Sequence, residues 1–376
     1  MSNLARAEGR EPLIHLSKRA GISRGKAWSI RIIAVLLGIL VCGIAAFLLI
    51  EKIQNNPEKI GEFYGTFIKG SFSTSRKFWK FLKNTAVLLC ISLALTPAFR
   101  MRFWNTGGEG QTLVGVLSAI AVNFYLGGKI PEGILLILML LAALAAGAVW
   151  GVIPAIFRAK WGTNETLFTL MMNYIATYLV SYFLVIWVPS GSSTLGKLKN
   201  GRLPIIADNE NILIVLIVVA LTAALYIYLQ YTKHGYEISV VGESVRTARY
   251  IGINERKVII RTMILSGMLC GLAGYLIAAG SDQTVTTNSV GGQGFTGIMV
   301  AWLGKFNPLA MLLTSALIQL LNQGAMQISK DFGVNSSLTS VIIGIILFFI
   351  IGSEFFINYE VHLRGHAKKA ARRAIK

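Results

Sequence analysis

The residues able to do polar chemistry are few, and most of them stand beside glycines. Asn105, Glu109 and Gln111 surround Gly107, Gly108 and Gly110. A carboxylate, amide oxygens and amide donors at this spacing suit the hydroxyl groups of a sugar or a ribose. Three glycines there let a helix break and a neighbouring backbone come close. Glu109 also has a simpler role open to it, pairing with Arg100 or Arg102, and the placement of charge favours that pairing. Asn173 lies deep in another apolar run, two turns beyond Asn164 and Glu165. Those two read as a helix start, with Asn164 as cap and Glu165 complementing the positive end. Asn322 and Gln323 fall mid-run, where they could line a cavity or bridge helices. Polar groups inside an apolar bundle are costly, so Asn105, Glu109, Gln111, Asn173, Asn322 and Gln323 are the candidates for lining a solute path.

Other chemistry is missing. Each Gly-Lys pair, at Lys26, Lys129, Lys197 and Lys305, is followed by Ala, Ile, Leu or Phe, so no phosphate-cradling Gly-Lys-Ser/Thr loop exists. ATP hydrolysis by this chain is not expected. Four histidines and three cysteines lack metal-ligand spacing. Cys42, Cys90 and Cys270 lie in apolar runs and read as small buried hydrophobes. No catalytic constellation suggests an intramembrane enzyme.

These residues need a membrane to position them. Of 376 residues, 54% are hydrophobic and 14% charged, against about 25% charged in a soluble domain. A soluble enzyme and a disordered chain are both excluded. The expectation is an all-α polytopic integral membrane protein. Uncharged runs occur at 32–50, 84–99, 110–128, 133–157, 166–196, 211–232, 262–281, 283–304, 306–329 and 332–353. A span needs about 20 apolar residues, which gives about ten spans, and eight at the least. Run 84–99 is short. Run 283–304 is rich in Gly, Thr, Asn and Gln and reads as broken or re-entrant. The first run starts too late and runs too long for a cleaved signal peptide.

The net charge is +19. With residue 1 in the cytoplasm and ten alternating spans, inner segments hold 24 basic residues and outer ones 12. That obeys the positive-inside rule and puts both basic tails, 1–31 and 354–376, in the cytoplasm around a permease domain at 32–353. The tails lack an aromatic-interleaved recognition module, so lipid rather than nucleic acid is the expected partner. Outer segment 51–83 breaks the rule. Ile60, Phe63, Tyr64, Phe67 and Ile68 share one helical face there. This fits an amphipathic helix in the outer headgroup region, or a helix packed on the protein's own surface. The repeated pattern Gly107-Gly108-Glu109-Gly110 and Gly291-Gly292-Gln293-Gly294 hints at two related halves.

The longest inner loop, 233–261, far exceeds the usual helix–helix link. Within it, 243–250 can form a short helix, with Ser244 as cap and Gly252 as stop, while Asn254 caps the next span. The pattern leaves two roles open, a docking surface for a soluble partner and a plain solvated loop.

Here a resemblance enters. Val241-Gly242-Glu243-Ser244-Val245-Arg246-Thr247-Ala248-Arg249-Tyr250-Ile251-Gly252-Ile253 resembles the cytoplasmic coupling segment of ABC importer permeases of the ribose and branched-chain amino acid superfamily. Phe103-Trp104-Asn105-Thr106-Gly107-Gly108-Glu109-Gly110-Gln111 resembles that family's F-N-I-G-x-E-G-Q signature. The segments Gly162–Tyr174 and Gly294–Pro308 resemble two more of its signatures. The last three point to the subgroup of nucleoside and simple-sugar permeases that work with basic-membrane-protein-type binding lipoproteins. Glu243 and Ser244 stand where the family usually has Asn-Pro. The resemblance implies a permease of the bacterial cytoplasmic membrane, importing a nucleoside or a simple sugar. It implies separate ATPase subunits that carry ATP and Mg²⁺, so that this chain binds no cofactor directly. It also implies a solute-binding lipoprotein outside, and a second permease, related or identical. Gly242, Glu243, Arg246, Ala248, Arg249 and Gly252 are the expected ATPase-coupling residues. The rival reading is an ion-coupled secondary transporter. The lack of any ionisable residue in the long runs argues against proton coupling.

Overall fold

A computed structural model describes residues 14–19, 22–188, 194–207 and 209–363. The helices are α1 (Arg24–Leu49), α2 (Glu51–Gln54), α3 (Lys59–Phe72), α4 (Ser75–Arg100), α5 (Gly108–Leu126), α6 (Glu132–Trp161), α7 (Glu165–Trp187), α8 (Ile212–Tyr231), α9 (Lys233–Glu243), α10 (Val245–Tyr250), α11 (Glu255–Ile277), α12 (Gln293–Leu303), α13 (Pro308–Phe332) and α14 (Ser336–Asn358). Two strands, β1 (Ile14–Lys18) and β2 (Tyr359–Leu363), form an antiparallel ribbon. Among the described residues, eight helices are long and apolar enough to cross a bilayer: α1, α4, α6, α7, α8, α11, α13 and α14. The chain is an all-α multi-pass membrane protein.

The two doubtful runs resolve in different ways. Run 84–99 lies within the 26-residue α4, whose basic first turns made the uncharged stretch look short. Run 283–304 yields only the 11-residue α12. A π-helical turn, Ala278–Asp282, ends α11, and irregular backbone follows. That backbone is bonded by protein: Leu198 N donates to Gln283 O at 2.9 Å and Leu195 N to Val285 O at 3.3 Å. Non-helical chain at membrane depth persists only when its polar groups are satisfied in this way.

The chain forms two compact units, residues 1–70 with 321–376, and residues 71–320; the second boundary falls inside α13. In the first unit, Arg31 on α1 binds Glu354 on α14 at 2.6 Å. The ribbon joins the chain before α1 to the chain after α14, so both lie at one end of this unit. Here α3 takes the second of its two expected positions, packed on the protein itself. Phe63 is fully buried, edge-on to Phe67 and Phe332. Tyr64 donates to Ile39 O at 3.0 Å. Ile68 points away and is exposed.

In the second unit, α11 packs most extensively on α6 and also on α5 and α4. Glycines permit it. A Cβ on Gly267 or Gly271 of α11 would collide with the carbonyl oxygens of Gly147 or Ala143 of α6. A Cβ on Gly115 of α5 would lie 2.8 Å from the Gly271 Cα. Small residues at helix crossings substitute close van der Waals contact for the hydrophobic drive that lipid cannot supply. Cys90 and Cys270 are buried in this core, as Cys42 is in that of the first unit, and all three are free thiols.

Helices α4 and α12 end alike. After α4, Arg102 takes φ 58° and Phe103 N donates to Ala98 O. After α12, Lys305 takes φ 51° and Phe306 N donates to Ala301 O. Phe99 stacks on Phe306, and Trp104 on Trp302. The two glycine segments that hinted at a repeat each open a helix, Gly107 before α5 and Gly292 before α12.

Candidate functional site

The glycine segments meet. The Glu109 carboxylate, in the first turn of α5, accepts from Gly292 N at 2.8 Å and from Gly294 N at 2.7 Å. It thereby caps α12, whose N-terminal amides would otherwise lack partners in the membrane. The pairing of Glu109 with Arg100 or Arg102 expected from charge placement is not made. Sequence proximity suggested the arginines, but the chain folds the amides of a distant half-helix onto the carboxylate. Gly294 is required: a Cβ there would strike the Glu109 backbone. Gln293 Oε1 is buried beside these glycines in sequence and has no hydrogen-bond partner among the described residues.

Asn105, Gln111 and Asn173 come together one turn away. Asn105 is fully buried. Its Oδ1 accepts from Gly107 N and from Gln111 Nε2, both at 3.1 Å. Its Nδ2 donates to Ser266 Oγ at 3.2 Å and to Gln111 Oε1 at 3.3 Å. All four hydrogen-bonding positions of this amide are taken. Asn173 Oδ1 accepts from Gly110 N at 2.8 Å, and its Nδ2 donates to Thr106 O at 3.0 Å. Thr106 N and Oγ1 reach Thr169 Oγ1 and Thr166 O. The result is a knot of amides and hydroxyls that fixes the turn between α4 and α5 against α7 and α11. Gly110 is required, since a Cβ would lie 2.8 Å from Asn173 Oδ1. Thr106, Thr169 and Ser266 were not singled out in the sequence, because threonine and serine in apolar runs bond their own helix backbone as often as a neighbour.

Asn164 caps α7, accepting from Leu167 N at 3.1 Å, and Glu165 pairs with Arg158 at 3.3 Å. Asn322 and Gln323 belong to the first unit, on α13. There Gln323 is buried, and its backbone carbonyl lies where a Cβ on Gly70 of α3 would need to be.

The segment between α8 and α11 is an elbow of two helices. Ser244 caps α10 through Thr247 N, Gly252 turns the chain at φ 82°, and Asn254 caps α11 through Lys257 N. Helix α9, not foreseen, is capped by Thr232, which accepts from Gly235 N at 3.1 Å. The expected coupling residues divide by direction. Gly242 is jammed against the Arg100 carbonyl at the end of α4, and Ala248 is fully buried. These two fasten the elbow to the spans. Glu243, Arg246, Arg249 and Gly252 face outward. Arg249 pairs with Glu255, and that hydrogen bond raises its guanidinium pKa. Arg261 on α11 grips Glu237 on α9 at 2.8 Å. Val245, Ile251 and Tyr250 join the outward face, Tyr250 at 91% exposure. The sequence hid them, because apolar side chains on a short helix read as its inner side.

A multi-pass bundle that holds a broken helix and a braced elbow has the build of a membrane transport subunit. Residues 78–351 match the family described as branched-chain amino acid transport system / permease component. The chain is 30% identical to a guanosine ABC transporter permease of Bacillus subtilis, over 84% of this chain and 91% of the relative. It is 29% identical to a glucose ABC transporter permease of Haloferax volcanii, over 93% of each. A nucleoside ABC transporter permease of Lactococcus lactis is 28% identical, over 76% of this chain and 82% of the relative. The chain belongs to this permease family and is a membrane permease subunit of an ATP-binding cassette importer.

Proposed function

We propose that this permease imports a nucleoside, and that ATPase subunits drive it by gripping the α9–α10 elbow from the cytoplasm. The observation that carries the coupling is the outward face of α10, where Arg246, Arg249 and Tyr250 are exposed on a helix whose other side is buried. The guanosine and nucleoside permeases among the relatives support the solute. The glucose permease, matched over nearly the whole of both chains, supports a simple sugar as the second reading. ATP and Mg²⁺ belong to the ATPase, and this chain contributes no catalytic residue and binds no cofactor itself. A solute-binding lipoprotein delivers outside, and a second permease, identical or related, completes the channel.

Both tails are cytoplasmic in this reading, in keeping with the ribbon that ties them together. Closure of the ATPase pulls the elbow. Gly242 and Ala248 pass the movement to the ends of α4 and α11, and the hairpin knotted by Asn105, Gln111 and Asn173 moves as one body. Glu109 then sits at the joint between that body and α12, where a ribose hydroxyl could compete for its carboxylate. Asn322 and Gln323 remain candidates for the path on α13.

The test is uptake into proteoliposomes holding the permease, its partner permease, the ATPase and the binding lipoprotein. Labelled guanosine and labelled glucose are compared with and without ATP inside. ATP-dependent guanosine uptake is expected. ATP-dependent uptake of glucose alone would replace the first solute by the second.

A further inference from the structure

Helix α7 turns an unusual face away from its own chain. Tyr174, Tyr178 and Tyr182 recur every fourth residue, and they are 57%, 74% and 63% exposed. The opposite face, with Met172, Asn173, Ala176 and Val180, is buried. The helix runs Glu165–Trp187, so Tyr174 and Tyr178 flank its midpoint and Tyr182 lies about 9 Å beyond it at 1.5 Å per residue.

Hydrocarbon is a poor surrounding for that face. A hydroxyl at the bilayer centre is about 15 Å from either interface and finds no partner among lipid tails. None of the three hydroxyls hydrogen-bonds within the chain among the described residues. The outward faces of α6 and α8 differ. They carry Ile137 and Leu141, and Leu216 and Val219, with exposed tyrosine only at the last residue of α8. Tyrosine at a span end is the usual interfacial anchor. Tyr174 and Tyr178, at mid-span, are too deep to be anchors, and Tyr182 continues their stripe. Apolar Met171 and Val185 continue the stripe toward the helix ends.

We propose that Tyr174, Tyr178 and Tyr182 form the aromatic wall of an aqueous solute path, and that the planar base of a nucleoside stacks on it. The proposal rests on the nucleoside reading above for its solute, but not for the wetness of the face. Tyrosine rings offer a flat apolar surface at small conformational cost, and their hydroxyls meet water or the edge of the base. A sugar offers only the C–H face of its ring, a smaller and puckered surface than a planar base. The wall therefore favours solutes with a heteroaromatic ring over sugars of the same size.

The experiment uses the assembled transporter in liposomes. Y174C, Y178C and Y182C are labelled singly with a charged, membrane-impermeant thiol reagent. L141C on α6 serves as the lipid-face control, and the unsubstituted chain shows that the three buried native cysteines stay silent. Labelling of the α7 variants at least tenfold faster than L141C is expected, with protection by added guanosine. Labelling no faster than L141C overturns the wall. So does a disulfide formed through Y178C between two permeases without labelling, because it marks a dry contact. Uptake supplies the second arm. Y178F should retain uptake within about threefold and Y178L should lose tenfold or more, with both variants recovered in the assembled transporter at the wild-type yield. Unchanged uptake by Y178L overturns the stacking. A wild-type transporter that imports sugar and no nucleoside overturns the solute reading and the stacking with it, while the labelling still decides the wall. The high exposure of Tyr178 means that neither variant disturbs packing within the chain.

Discussion

Glu109 shows what a single side chain does at the break in this membrane fold. Its two carboxylate oxygens satisfy two amides of a half-helix that begins without a cap of its own. Glu109→Gln keeps the shape but loses the charge and one acceptor oxygen. Hydrogen bonds to charged groups contribute roughly 1.5–3 kcal/mol each. The variant should unfold in detergent several degrees below the wild type, which differential scanning fluorimetry would detect. Asn105→Leu is expected to do more harm than its size suggests. It strands Gly107 N, Ser266 Oγ and the Gln111 amide in a buried knot, and each unpartnered group costs roughly 1–3 kcal/mol. An Asn105→Leu protein that folds with wild-type stability would show that the knot is ornamental. The residue types of this site were legible in the sequence, since amides and a carboxylate among glycines stand out from an apolar background. Their partners were not. Arg100 is near Glu109 in sequence and Gly292 is not, and nothing in the chain's local pattern says that a distant helix breaks where the carboxylate waits.

At the scale of helices, the crossing of α6 and α11 depends on the absence of side chains. Gly271→Leu would drive its side chain into the Ala143 carbonyl, a backbone group that cannot step aside. Overpacking of this kind costs about 1–3 kcal/mol even where neighbours can relax. The expected result is loss of the folded protein from the membrane fraction. Gly133→Leu at the start of α6, with open space around it, should leave the yield unchanged. The elbow gives the opposite prediction. Arg246→Glu with Tyr250→Ala alters only exposed side chains, so stability should stay within about 0.5 kcal/mol. Solute-stimulated ATPase activity and uptake of the assembled transporter should fall at least tenfold. Caps and stops of the elbow were readable, because Ser244, Gly252 and Asn254 act on backbone atoms a few residues away. Helix α9 was not foreseen: it carries two glycines, Gly235 and Gly242, and both sit against backbone carbonyls where a side chain would not fit. The fate of α3 was open for a related reason. An amphipathic face does not say whether lipid or protein will cover it, and here Phe63 found Phe332.

For the whole molecule, the bilayer made most of the architecture legible. A span must be long, apolar and internally hydrogen-bonded, so eight spanning helices were visible as runs of uncharged residues. What the runs could not convey was which stretch of irregular chain other protein would satisfy, as residues 195–198 do for 283–285. The asymmetry of lysine and arginine predicts the orientation, and orientation determines whether a motor can reach the elbow at all. Arg246→Cys on α10 settles the matter. In vesicles of known sidedness, a charged thiol reagent is expected to label this cysteine only when the cytoplasmic face is outward, and added ATPase subunit should shield it. Labelling from the extracellular face would contradict the coupling of this permease to a cytoplasmic motor.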